Sequence, residues 1–218
     1  MMSESLFNEE GPMKIYDISW PLFNGMTTYK DKGTFKREET RTWKDNKSRE
    51  SLITMGSHIG THIDAPTHFL ETGKTVDQLD LTKLMGPCKV IDLTSVTEKI
   101  TAEDLKKHEL APRVLLKTRN SDFKADETFN PDFIYVDKTG AKYMVEQGVV
   151  CVGIDYLGIE TKQPDHETHQ QLFEHEIVII EGLRLKDIEP GTYFLSCLPL
   201  ALVGAEAAPV RAVLIAEE

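Results

Sequence analysis

Residues 57–69 read SHIGTHIDAPTHF, and the placing of this stretch decides both the fold and the chemistry. Three of the chain's seven histidines fall between positions 58 and 68, with an aspartate, a glycine and a proline among them. His58, His62, Asp64 and His68 occupy even positions; Ile59, Ile63, Ala65 and Phe69 occupy odd ones. In an extended chain, alternate side chains point to opposite faces, so a strand gathers the polar groups on one side and the apolar groups on the other. A helix would also pair His58 with His62. Gly60, the β-branched Thr61 and Ile63, and Pro66 all work against it. The pattern predicts a strand that passes into a loop near Pro66, since proline is excluded from central ladders. Gly60, on the polar face, leaves room for a close approach to the backbone.

Working outward, KIYDIS (14–19), CKVIDL (88–93), VLLKT (114–118), TYFLSC (192–197) and VRAVLIA (210–216) read as strands. VVCVGIDY (149–156) and IVIIEGL (177–183) are apolar enough to be buried on both faces of a sheet. Thr101 with Asp104 resembles a capping box opening a helix over TAEDLKKHEL. TGAKYMVEQG (139–148) ends in a glycine suited to a helix stop, and HETHQQLFEH (166–175) also reads as a helix. Thr82 is placed to cap a short helix through Met85. The polar stretch from Thr27 to Glu50 reads as a long loop or hairpin with functional contacts. Strands mixed with helices predict an α/β or α+β fold, α/β being the first choice, with a mixed sheet in one compact domain, residues 13–218, behind a flexible lead-in of residues 1–12.

At 218 residues, 40% hydrophobic and 28% charged, the chain has the composition of an ordinary globular protein. A formal net charge of −11 argues against nucleic acid and anionic membranes as partners. The acidic start, MMSESLFNEEGP, has no secretory pattern, and the apolar region 197–216 is interrupted by Glu206, Pro209 and Arg211. Cys88, Cys151 and Cys197 are dispersed and odd in number, as expected of reduced thiols in a cytoplasmic protein.

Histidine and carboxylate donors without cysteine suit zinc, manganese and related divalent metals. The face bearing His58, His62 and Asp64 offers three ligands, and three with an open position is the pattern of a catalytic metal. His68, beyond the proline, is either a fourth ligand or an acid/base. Glu181 directly follows IVII, where an unpaired carboxylate would be costly to bury, so it calls for a cation. His169 lies in a helical stretch, with His166 and His175 as rivals. His108, at a helix end, reads as structural. Trp20, Phe23, Tyr29 and Trp43 are candidates for an aromatic pocket, or are core.

His58, Gly60, Thr61, His62, Asp64, Pro66 and His68 together match H-x-G-T-H-x-D-x-P-x-H, which resembles the signature of the metal-dependent cyclase or kynurenine formamidase family. IYDIS-x-PL (15–22), VGIDYLGIE (152–160), HQQLFEHEIVIIEGL (169–183) and LPLALVGAEAAPVRAV (198–213) are similar to further segments of that family. The resemblance implies a swivelling β/β/α fold, a homodimer or larger homo-oligomer, and a centre of one or two zinc ions. It implies that His58, His62 and Asp64 bind the first metal and that Asp64 bridges to a second held by His169 and Glu181. It implies that His68 moves protons. The implied reaction is arylformamidase-like hydrolysis of a small amide, N-formylkynurenine, with a cyclic amide of the isatin type or a lactone as the alternative. A non-catalytic metal- or ligand-binding protein on the same fold is the alternative of another class. The chain departs from the family at residues 25–35, GMTTYKDKGTF, where a Trp-Pro-Gly-Asp-like segment is usual, and at Leu157-Gly158.

Overall fold

The computed structural model describes residues 13–217; the expected lead-in, residues 1–12, lies outside the described residues. The strands are β1 (Met13–Asp17), β2 (Phe35–Arg41), β3 (Glu50–Met55), β4 (His62–Asp64), β5 (Met85–Asp92), β6 (Lys99–Ile100), β7 (Arg113–Lys117), β8 (Tyr135–Val136), β9 (Cys151–Ile154), β10 (Val178–Glu181), β11 (Gly191–Ser196), β12 (Ala207–Pro209) and β13 (Val213–Glu217). The α-helices are α1 (Trp43–Asn46), α2 (Ala102–Leu105), α3 (Lys138–Glu146) and α4 (Glu167–Glu174).

Nine strands form one mixed sheet in the order β1-β13-β11-β5-β7-β9-β10-β4-β12. The centre, β5-β7-β9-β10, is parallel, and antiparallel pairs extend it on both sides. This is the α/β fold with a mixed sheet that the element order predicts. Each face of the sheet has its own core. On one, Leu115, Ile180, Ile63 and Leu195 pack together; on the other, Val114, Leu116, Val152 and Ile154 pack under Leu105, Met144, Leu172 and Phe173 of α2, α3 and α4. The alternation within RVLLK and CVGI thus serves two cores at once, which is why these strands carry unbroken apolar runs.

Register then places the functional strand. In the antiparallel pair of β4 and β10, Glu181 lies opposite His62, Ile180 opposite Ile63 and Ile179 opposite Asp64. Directly opposed residues share a face. Ile63 and Ile180 fill the core away from the helices. His62, Asp64 and Glu181 therefore point with Ile179 toward the helix layer.

Several local expectations are revised. The extended run expected from His58 shortens to His62–Asp64, because Gly60 turns the chain at φ +58°. The space at Gly60 is taken by the protein itself: a Cβ there would stand 2.5 Å from Leu22 Cδ2. The helix expected over TAEDLKKHEL is one turn, although its capping box, Thr101 with Asp104, is present. Asp80, not Thr82, caps the short 3-10 turn Leu81–Leu84. β5 starts at Met85 and runs through Pro87, which is tolerated because β7 joins β5 only from Lys89 onward. The stretch of residues 27–50, expected as a long loop or hairpin, holds β2 and α1, and β2 pairs with β3, which begins at its end, in a separate two-stranded hairpin, largely exposed.

Candidate active site

The segment entering β4 is fastened before any site chemistry begins. The buried Thr61 hydroxyl accepts from the Trp20 N–H at 2.6 Å and donates to the Gly182 carbonyl at 2.6 Å. Gly182, at φ +72°, packs so tightly that a Cβ would lie 2.2 Å from the Gly60 carbonyl oxygen. Glycine at both positions thus lets the histidine segment and the end of β10 meet backbone to backbone. Pro66 then opens a 3-10 turn, Pro66–His68, a position that needs no N–H and that carries His68 back over the strand.

Asp64 is the centre of what results. Its Oδ1 lies 2.9 Å from His58 Nδ1 and 3.4 Å from His62 Nε2, and its Oδ2 lies 3.7 Å from His169 Nε2. Glu181 meets both buried imidazoles, with Oε2 3.4 Å from His62 Nε2 and Oε1 3.6 Å from His169 Nε2. Glu181 Oε1 also accepts from the Ile159 N–H at 2.6 Å. His62, Asp64, His169 and Glu181 are all buried, whereas His58 is partly exposed. The His68 ring lies 4.2 Å from that of His58 and 6.0 Å from that of His169. Ligand atoms of His58, Asp64 and His68 all lie within 4.8 Å of one another, and so do those of His62, Asp64 and Glu181. The six residues singled out from the sequence are thus brought to one place, with a ring nitrogen of His68 within 4.8 Å of an Asp64 oxygen.

The electrostatics follow from that geometry. Burial works against charge at Asp64, but the close imidazoles of His169 and His58 and the nearby His62 hold it well below the usual carboxylate range. At Glu181, burial and the Asp64 charge oppose ionisation; His169 and His62 outweigh them and lower it to about 2. Burial would lower His62, yet Glu181 and Asp64 raise it to about 9. His169 is raised well above its ordinary value, against its burial, by Asp64, Glu160 and Glu181. His68 moves the other way, lowered chiefly by burial, with His58 and His169 adding to it. Two buried carboxylates therefore stay ionised and demand positive charge beside them. Among the described residues no well-aligned hydrogen bond satisfies the buried His62 Nε2 or Asp64 Oδ1, although members of the cluster itself lie 2.9–3.4 Å away. Orphaned atoms of this kind call for an explanation. A cation between hard oxygen and imidazole donors supplies one, so the residues fit a divalent metal.

The rivals of His169 fall away by position. His175 is exposed at the end of α4, where its Nδ1 bonds the Gln171 carbonyl. His166 lies outside, against Glu160. On the eight-residue α4, the buried side is Thr168, His169, Leu172 and Phe173, and it carries His169 inward. The aromatic candidates are spread apart. Trp20 is buried, edge-on to Tyr156 and under the Arg184 guanidinium. Tyr29 packs on Phe129, while Phe23 and Trp43 are exposed. The aromatic ring that does border the cluster is Phe69, 4.1 Å from His68 and 4.6 Å from His169. Sequence reasoning assigned it to the apolar face and so passed over it. Two carboxylates were also missed, Glu160 beside His169 and Glu206 beside His58. Glu160 ends the apolar run Leu157–Ile159, the same signal that singles out Glu181.

Fold and cluster together define an α/β protein of the metal-dependent hydrolase class. The family model described as "Putative cyclase" matches residues 16–161, which take in His58 through His68 and Glu160, and the chain belongs to that family. A kynurenine formamidase of Bacillus anthracis is 37% identical over 206 residues, covering 92% of this chain and 97% of its own length. A solved structure described as a potential metal-dependent hydrolase with cyclase activity has a TM-score of 0.85 at 43% identity, covering 95% of this chain and 100% of that one. An isatin hydrolase bound to the product analogue thioisatinate has a TM-score of 0.83, covering 94% of this chain and 93% of that one, at 19% identity; that likeness is one of fold.

Proposed function

We propose that residues 13–218 act as one metal-dependent hydrolase domain that cleaves a non-peptide amide, N-formylkynurenine, to kynurenine and formate. The observation that carries this reading is the buried Asp64-centred cluster, in which His62 Nε2 and Asp64 Oδ1 find no well-aligned hydrogen bond among the described residues. A kynurenine formamidase aligning over nearly its whole length supports the substrate. His58, His62 and Asp64 would hold a first divalent ion, and Asp64, His169 and Glu181 a second; zinc is the first choice and manganese the alternative. When bound, such an ion provides an ionised water at neutral pH and polarises the carbonyl. The chain's own part is to keep Asp64 and Glu181 ionised, to hold both imidazoles under the helix layer away from water, and to move a proton. His68 would carry that proton. Burial disfavours charge on its ring, which stands beside His58, and the ring would take a proton from water and return one to the leaving amine at its imidazole nitrogen.

Two further properties belong to the same reading. The chain works as a homodimer or larger homo-oligomer. The exposed hairpin supports this, because a lone two-stranded ribbon is barely stable in water and this one presents Leu52, Ile53 and Met55 to solvent. It works in the cytoplasm, as three buried free thiols favour; no described helix is long and apolar enough to cross a membrane. Hydrolysis of an isatin-type cyclic amide or a lactone is the second reading. It is favoured by the shared fold and by the departures at residues 25–35 and Leu157-Gly158.

The test is a substrate panel on metal-loaded protein, with elemental analysis of the same sample. N-formylkynurenine turned over fastest, with loss on chelation, is expected. Faster turnover of isatin or a lactone selects the second reading. No divalent metal, and activity indifferent to chelators, would sink both.

A further inference from the structure

Glu160 lies outside the set of candidate ligands, yet it is only 6% exposed and touches one of them. Its Oε1 stands 2.8 Å from His169 Nδ1. Its position is over-determined from the other side. The Thr168 N–H donates to Oε2 at 2.8 Å, Gln163 Nε2 donates to Oε2 at 3.2 Å, and His166 Nδ1 meets Oε1 at 3.0 Å. Three groups thus fix a buried carboxylate against one nitrogen of a buried imidazole.

We infer that Glu160 is the positioning residue for His169, setting which ring nitrogen faces Asp64 and Glu181; this rests on the metal-centre reading. A neutral imidazole has one N–H and one lone pair. A carboxylate at Nδ1 keeps the proton there and leaves the lone pair on Nε2, the nitrogen 3.7 Å from Asp64 Oδ2 and 3.6 Å from Glu181 Oε1. The His169 N–H is not lined up on the oxygen, and Nδ1 has no other hydrogen-bond partner among the described residues. The ring is therefore held by charge and proximity rather than by a linear bond. His62 shows the same device independently. Its Nδ1 lies 3.0 Å from the Gly60 carbonyl oxygen, and its Nε2 faces Asp64 and Glu181 at 3.4 Å each. Two imidazoles from different elements present Nε2 to the same pair of carboxylates, each with an acceptor behind it.

The geometry also decides a competing possibility. Ligand atoms of Glu160, His166 and His169 lie within 4.8 Å of one another and so form a donor trio of their own. For His169 to serve that trio through Nδ1 and the Asp64 centre through Nε2, it would have to lose both ring protons. Glu160 as an acceptor needs no such step, and the exposed His166 is then a second brace on the carboxylate.

The experiment compares Glu160→Gln with His166→Ala. Cation affinity is measured by competition with a chromophoric chelator. The His169 ring is observed by 15N NMR in metal-free protein, above the pH at which it loses its second proton. The expected outcome is that Glu160→Gln weakens the His169-side ion by about 10- to 100-fold, leaves the other ion in place, and shifts the ring away from the Nδ1–H tautomer. His166→Ala should leave both readouts near wild type. An unchanged affinity and tautomer in folded Glu160→Gln overturns the inference. So does loss of an ion in His166→Ala to the same degree, which would make the trio a ligand set. If the wild-type protein takes up no divalent metal, the metal reading fails, while the tautomer still reports on Glu160 by itself.

Discussion

Replacing Thr61 with valine should destabilise the protein by about 4 kcal/mol without opening a cavity. The two side chains have nearly the same shape, and Thr61 is 2% exposed, so packing is preserved and only the hydroxyl is lost. That hydroxyl joins two backbone groups that have no other hydrogen-bond partner among the described residues, the Trp20 N–H and the Gly182 carbonyl, each at 2.6 Å. Leaving a buried polar group unmet costs ~1–3 kcal/mol, and two such groups give about 4 kcal/mol near the middle of the range. For a chain of this size, each kcal/mol lowers Tm by roughly 2–4 °C, so a fall of about 8–16 °C is expected. Thr61→Ser keeps both bonds and should lose about 1 kcal/mol, the worth of a buried methyl. The assay is urea unfolding of metal-free wild type, Thr61→Val and Thr61→Ser, with m-values compared. The position adjoins His62, so divalent-ion uptake should weaken in the valine variant alone. A Thr61→Val cost below about 1 kcal/mol, at unchanged m, would refute the argument that this hydroxyl ties the histidine segment to β10 and the Trp20 loop.

Other outcomes follow from the same geometry. His62→Ala should lose bound metal and then activity. His68→Ala should keep metal and lose roughly two to four orders of magnitude in rate, the worth of a positioned proton carrier; elemental analysis beside turnover separates the two, and a metal-free His68→Ala would make His68 a ligand. Gly182→Ala drives a Cβ to within 2.2 Å of the Gly60 oxygen at a positive φ, so a loss of at least ~3 kcal/mol in denaturant unfolding is expected, and a loss under ~1 kcal/mol would contradict the close backbone approach. Asp155 is raised to about 6, because its burial outweighs the bonds it accepts from Ser121 and Thr118. With the folded value above the unfolded one, its contribution to stability is full below pH about 4 and is lost as pH rises through about 6. Carboxyl 13C NMR should show a midpoint near 6, and one below 4 would mean that the hydrogen bonds prevail.

The sequence determined what neighbouring residues determine among themselves. The apolar runs VVCVGIDY and IVIIEGL mark strands with a core on each face, and Thr101 with Asp104 marks a helix start whose capping box is present. The crowding of His58, His62, Asp64 and His68 was legible as a cluster because eleven residues cannot separate far. Tertiary structure decided the rest. That β4 lies between β10 and β12, with Glu181 opposite His62, is a pairing across more than a hundred residues that no local pattern encodes. That His169 is buried beside Asp64 and Glu181, while His166 and His175 are exposed, turned on which side of α4 met the sheet. Glu160 came to lie against His169 only when two segments on either side of residue 163 folded against each other. The helix expected over TAEDLKKHEL stopped after one turn, and the extended run began only after Gly60, although the local residues allowed more. The physical reason is common to all of these. Propensity and capping act within a few residues and are written there, whereas register, face and partner are set by which arrangement of the whole chain buries its apolar surface and leaves each buried charge beside an opposite one.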